Sequence, residues 1–286
     1  VEKPQVMNIR KLDRKDLDNL KQMDTGIEDD YVIRIFPRLI ESKEHEIFGL
    51  FQEGTLMSVA GYTTFADKFA MLGRMRSDRR YTGKGYSTEV MTHIAERLSK
   101  DPDIEWIGAN TQTHNYPAQR VIERSGMRPG PVHYYAILKS KAVYPGATGP
   151  IWNRINELHE KRKLLSRLTS NALEVFPYEC YYPLPFDKNL FTDDYLDECT
   201  FYVSPSEDRF VIFRNDQKGS LHTHVKYFWN DHYEQPGFFE TVYHNWDENP
   251  EAAGAWFDFS ETGFKNIPDP SIFEVQKPWR LYSRWL

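Results

Sequence analysis

The feature that most constrains this chain is a six-residue loop, Arg80-Tyr81-Thr82-Gly83-Lys84-Gly85, set between a strand-like run and a helix-like run. The run after it, Tyr86 to Lys100, carries Val90, Ile94 and Leu98 four residues apart, which predicts an amphipathic helix. A strand that enters a glycine-rich turn and leaves as a helix is a general device for holding phosphate. Glycines let the backbone come close, and unpaired N–H groups at the helix start point at the anion, helped by the helix dipole. Arg74, Arg76, Arg79, Arg80 and Lys84 add five cations within eleven residues. In a chain of net charge −6, so compact a basic spot suggests a small anionic ligand, the alternative being a solvated face.

Three motifs use such a loop, and spacing separates them. The pattern GxxxxGK[ST] is met nowhere. The dinucleotide fingerprint GxGxxG is met by Gly83 and Gly85, but Thr88 stands at the third glycine, although Asp103 lies about where that fold wants its ribose-binding acid. The third pattern, [Arg/Gln]-x-x-Gly-x-[Gly/Ala], is met at every specified position by Arg80, Gly83 and Gly85. A second segment accompanies it: Asn115-Tyr116-Pro117-Ala118, continuing to Glu123-Arg124-Ser125-Gly126-Met127. With both segments in this order, the region of about residues 5–140 resembles the GNAT superfamily of N-acetyltransferases.

The resemblance implies acetyl-CoA as cosubstrate and an amine-bearing acceptor, either a small molecule or a peptide. It implies that the pyrophosphate rests on backbone N–H groups from Arg80 through Gly83, Lys84, Gly85 and Tyr86 to Ser87. The pantetheine arm would pair with the strand at Met75, Arg76 and Ser77, and Asn115 would touch the same arm. That strand and Ile104 to Ala109 would splay apart, with the Met75 backbone N–H polarising the thioester carbonyl. Transfer would be direct, in a ternary complex, since placing amine beside thioester supplies much of the rate. One departure matters: the position where many members carry a proton-donating Tyr is Ile122. Tyr116 is the candidate acid in its place, and Asp67, just before the cofactor strand, is the candidate base. A structural aromatic and a solvated turn carboxylate are the plain alternatives for these two. The missing Tyr also keeps open a second function, an acyl-CoA-sensing or partner-binding module without strong catalysis.

Patterning predicts a mixed α/β fold with a mixed, splayed sheet. Its elements are a strand at Val6–Lys11, a helix capped by Asp13, a helix from Asp29-Asp30 that holds Pro37, and strands at 46–52, 56–65 and 69–77. The glycine loop and its helix follow, then a strand at 104–109, a short helix at 116–125 capped by Asn115, and a strand at 133–139. The turn-rich stretch Tyr144 to Pro150 predicts a boundary between a GNAT-like domain, 1–145, and an aromatic-rich α+β domain, 151–286, with a long helix from Ile151 to Phe176. No internal repeat and no second Gly-x-Gly appear after residue 150. The second half is therefore expected to shape the acceptor site or to form a homodimer. His222 and His224 share a strand face, but no fixed-spacing partner supports a metal, and none is expected. Net charge argues against nucleic acid, and no 18-residue apolar run argues for a membrane span. No charged-then-apolar leader opens the sequence, and Cys180 and Cys199 form no disulfide framework, so a cytoplasmic setting is expected.

Overall fold

The computed structural model describes residues 7–286, and the expected strand residue Val6 lies outside them. No helix among the described residues is long and apolar enough to cross a membrane. The chain divides into two compact units, residues 1–130 with 282–286, and residues 131–281. The break falls inside a strand, not in the Tyr144–Pro150 turn. That strand, β6 (Arg128–Leu138), pairs with unit 2 partners from His133 onward and sinks Tyr135 and Ala136 completely, so burial overrides the turn signal.

In unit 1 the strands β1 (Met7–Lys11), β2 (His45–Gln52), β3 (Thr55–Phe65) and β4 (Phe69–Ser77) form an antiparallel run. β5 (Trp106–Gln112) then joins β4 in parallel. The final residues, from Tyr282, return to this unit, where Leu286 N–H donates to the Glu105 carbonyl at 2.9 Å. Helices α1 (Leu17–Gln22) and α2 (Tyr31–Glu41) cover one sheet face. Val32, Phe36 and Leu39 of α2 pack there on Ile47, Phe51 and Val59. α3 (Tyr86–Leu98) covers the other face, with Val90, Ile94 and Leu98 against Leu50, Ala60 and Leu72. α4 (Tyr116–Arg124) packs Ile122 into that same core. Pro37 sits inside α2 without ending it. Asp13 caps the first turn as expected, with Asp16 closing a capping box.

Unit 2 repeats this order although its sequence shows no repeat. β7 (Asn153–Ile155), α5 (Leu158–Ser166) and α6 (Asp193–Asp197) are followed by three antiparallel strands, β10 (Thr200–Val203), β11 (Phe210–Lys218) and β12 (Ser220–Lys226). Then come α7 (Phe238–Asp247), β13 (Ala255–Ser260) parallel to β12, α8 (Glu261–Lys265), β14 (Phe273–Val275) on β6, and β15 (Trp279–Trp285). The one insertion is a hairpin of β8 (Phe176–Glu179) and β9 (Tyr182–Leu184) between the two short helices. The long helix expected over 151–176 is therefore wrong. Asn153–Ile155 pairs with β10, and the Trp152 N–H donates to Thr241 Oγ1 at 2.9 Å, so that segment is spent on strand contacts before α5 begins. Trp152, Phe238, Phe239, Phe257 and Phe259 belong to an aromatic core in this unit, which accounts for much of the aromatic content.

Candidate functional site

The sequence loop lies where unit 1 changes from strand to helix. Gly83 and Gly85 adopt φ +85° and +83°, and nothing lies within 4 Å of where a side chain would start on either. The left-handed backbone alone demands glycine here, while the space above stays open. Gly85 is the N-cap of α3, and no side chain caps that helix, so its first N–H groups face outward as a phosphate cradle requires. Three serines hold the cradle against the strand. Ser58 Oγ lies 3.1 Å from Ser77 Oγ and 3.2 Å from Ser87 Oγ, and Ser77 and Ser87 also touch each other. Tyr86 is anchored as well, its hydroxyl donating to Gln52 Oε1 at 2.6 Å.

Two irregularities in β4 make the slot. β4 pairs with β5 only over Phe69–Leu72 against Trp106–Ala109, so the pairing of these strands ends at Leu72. The β3–β4 register slips by one residue between Gly73 and Arg76, a bulge in which Arg74 takes φ +56°. Bulges re-aim backbone groups, and this one turns the peptides around Met75 off the ladder at the point of parting.

The basic spot reads differently in space. Arg76 donates to both Asp30 carboxylate oxygens, Arg79 to Asp24, Arg80 to Asp78, and Arg74 to the Thr63 hydroxyl. Each of the four arginines thus has a partner within the unit, Arg76 in a buried pair and Arg79 in an exposed one. Arg80 holds Asp78, whose carboxyl is kept below the usual carboxylate range by that guanidinium. An anion at Gly83–Ser87 would meet mainly backbone N–H groups and the exposed Lys84.

The candidate catalytic side chains fare unequally. Asp67 sits exposed in the β3–β4 turn at φ +56°. Eight residue steps, roughly 25 Å of extended chain, separate Asp67 from Met75. The structure does not bring Asp67 to the slot, because it belongs to the far end of β4. Tyr116 is 65% exposed on the first turn of α4. Asn115 uses its Oδ1 to cap that helix, accepting the Ala118 N–H at 3.3 Å. Ile122 is buried core. A cleft of about 640 Å³ lined by Glu46, Tyr62, His93, Arg97 and Asp101 lies at the opposite end of α3 from the glycine loop. Glu46 is committed there to Lys11 and Tyr62.

Unit 2 offers no equivalent cradle. Its α7 also starts from a left-handed glycine, Gly237, but a side chain there would run into the Pro150 carbonyl. Gly237 N–H donates to the Ala147 carbonyl, and the Trp152 indole N–H to the Pro236 carbonyl. The segment after residue 145 thus occupies the helix start where unit 1 leaves space. Gly237→Ala is expected to cost roughly 2–4 kcal/mol in chemical denaturation, from left-handed strain plus overpacking. Gly83→Ala should cost about 1 kcal/mol, since its surroundings are open.

The β12–β13 pairing ends at Val225–Phe257, and the next residues, Lys226 and Asp258, meet His224. Lys226 Nζ lies 2.9 Å from His224 Nδ1 and donates to the Pro177 and Tyr178 carbonyls, while His224 Nε2 bonds Asp258. Burial pushes the Lys226 ammonium down and the Asp258 carboxyl up to about 8. Both directions favour the uncharged arrangement, in which a neutral amine accepts from Nδ1–H and the carboxylic acid donates to Nε2. Cys180, Asp216 and His224 place three ligand atoms within 4.8 Å. Yet both His224 nitrogens are taken, and Asp216 accepts the Cys180 N–H at 2.7 Å. The His224 and Asp216 side chains of this cluster are thus engaged in hydrogen bonds within the unit.

Unit 1 thus combines a strand parting beside a bulge with an uncapped, glycine-led helix. Residues 7–128, a stretch that lies within unit 1, match the family model of the acetyltransferase (GNAT) domain. Among solved structures, the chain is similar to a GCN5-related N-acetyltransferase from Sphaerobacter thermophilus, at 13% identity and TM-score 0.54, over 98% of this chain and 95% of that one. It is likewise similar to a tandem GNAT protein from the clavulanic acid biosynthesis pathway, at 8% identity and TM-score 0.53, over 98% of each chain. These likenesses concern the fold, and they span both units. No curated protein matches the sequence.

Proposed function

We propose that the protein transfers an acetyl group from acetyl-CoA to an amine, at the slot of unit 1, by direct attack. The observation that carries this is the open, uncapped α3 N-terminus behind Gly83 and Gly85, adjoining the β4 bulge. Bound acetyl-CoA would supply an activated thioester. The chain's own part is to bind and orient. Backbone N–H groups from Arg80 to Ser87 would hold the pyrophosphate. The freed edge of β4 at Met75, Arg76 and Ser77 would pair with the pantetheine arm, and the Met75 N–H would face the thioester carbonyl, where fixed donors act without reorganising. Tyr116, on the first turn of α4, would protonate the departing thiolate, given that Ile122 is core. Asn115 would meet the arm beside it. The acceptor is an amine on a small molecule or a peptide.

A second reading, an acyl-CoA-sensing module, is favoured by one observation, the burial of Ile122 at the usual acid position. Release of free CoA thiol across a panel of amines separates the two. Turnover with at least one amine class, lowered at least tenfold by Tyr116→Phe, supports the transferase with Tyr116 as acid. Acetyl-CoA binding without turnover on any amine supports the sensor.

A further inference from the structure

The peptide next to the proposed thioester contact is gripped from outside the sheet. Arg76 follows Met75 past the bulge, and its Nε and Nη2 donate to Asp30 at 2.6 and 2.8 Å. Its Nη1 donates to the Met75 carbonyl at 2.9 Å. On the next peptide, the Ser58 hydroxyl donates to the Arg76 carbonyl at 2.9 Å. Two successive carbonyls of the bulge are thus fixed by side chains, one of them through Asp30. Asp30 is itself the N-cap of α2, its Oδ1 accepting the Val32 N–H at 2.9 Å. The next residue, Tyr31, presents a ring 46% exposed, 5.4 Å from the same guanidinium.

We propose that Arg76 is a positioning residue, and that the Arg76–Asp30 clamp couples acetyl-CoA occupancy of β4 to the segment from Asp24 to Tyr31. This rests on the acetyl-CoA reading of unit 1. Burial singles out this pair. Its side chains are 11% and 1% exposed, against 63% and 46% for Arg79 with Asp24, and 59% and 76% for Arg34 with Asp29. Exposed pairs rearrange at little cost, whereas a closed two-pronged pair has one good geometry. A ligand on the β4 edge favours the bulge arrangement in which the Met75 carbonyl meets the guanidinium. Linkage then requires that Asp30, and the helix start that it caps, be favoured in the same arrangement.

Hydrogen exchange on the full chain, with and without acetyl-CoA, tests this in wild type, in Asp30→Asn and in Asp30→Ser, both of which remove the carboxylate and keep a side chain able to cap α2. In wild type, acetyl-CoA should slow exchange at least threefold over 80–90 and also over 24–36. Asp30→Ser should keep the first effect and lose the second, with Asp30→Asn in between. Slowing over 24–36 that persists in Asp30→Ser overturns the clamp, as does a wild type that responds only over 80–90. Loss of both responses in both variants with a collapsed melting transition marks the Arg76–Asp30 pair as merely structural and overturns it too. A wild type with no response over 80–90 refutes the acetyl-CoA reading itself, and the clamp falls with it.

Discussion

Gly83→Glu is expected to weaken acetyl-CoA binding at least 100-fold in calorimetric titration while leaving the folded state intact. Gly83 stands at φ +85° in open space, so the new side chain meets no neighbour. Holding a non-glycine residue in that conformation costs about 1–2 kcal/mol, small enough for the unit to stay folded. Binding has two further losses to bear: the backbone will relax away from the cradle, and a carboxylate will stand where a pyrophosphate is expected. A 100-fold loss corresponds to about 2.7 kcal/mol, within reach of those terms together. Gly83→Ala isolates the strain and should lose less than tenfold. Equal affinity in wild type and Gly83→Glu would refute the loop as the donor site.

Unit 2 is expected to lose stability steeply between pH 6.5 and pH 4. His133 and His232 are buried, and burial lowers their imidazoles to about 4 and about 3. Unfolded, each takes a proton near pH 6.5. Below that pH the unfolded state binds protons that the folded state excludes, so stability falls as pH falls. The loss is about 1.4 kcal/mol per pH unit for each histidine, until the folded-state value is reached. Above pH 6.5 the contribution is fully present. Two such groups over this window are comparable with a typical domain's entire stability. His232 lies among the rings of Tyr227, Phe238 and Phe259, with neither ring nitrogen hydrogen-bonded. His232→Phe should therefore preserve stability at pH 7.5 and reduce the pH slope of urea denaturation between 6.5 and 4 by about 1.4 kcal/mol per pH unit. An unchanged slope would show that His232 is not the excluded proton site.

Much of unit 1 was legible because local chemistry and tertiary demand agree there. Asp13, Asp30 and Asn115 cap the elements that their types predict, and the apolar spacing of α3 matches its buried face. The glycine loop was legible for the same reason, since its backbone needs glycine whatever surrounds it. The fate of the arginines was not. Arg76 and Arg79 read as part of a basic spot because their carboxylate partners come from elsewhere, Asp30 and Asp24 lying about fifty residues away in sequence. The alternation of Phe69 to Ser77 conceals the bulge, because one inserted residue at Arg74 leaves no compositional mark. Asp67 seemed close to the site only along the chain.

The second unit was nearly illegible because a repeated topology does not need a repeated sequence. Its strand order needs apolar inward positions, which many residues satisfy, and it lacks the loop that makes unit 1 recognisable. Trp152 and Ile155 fit a helical period while serving a strand edge, so β7 was hidden within an apparent helix. The division at residue 130 was hidden in turn, since β6 reads as one uninterrupted strand.

A structure of the protein soaked with acetyl-CoA tests most directly the proposal that unit 1 grips coenzyme A by its backbone and unit 2 does not. Pyrophosphate oxygens are expected within hydrogen-bonding distance of the backbone N–H groups of Gly83 to Ser87, and the acyl end at the bulge beside Met75. Pyrophosphate bound at the start of α7, or in the cleft lined by Glu46 and Arg97, would refute that proposal.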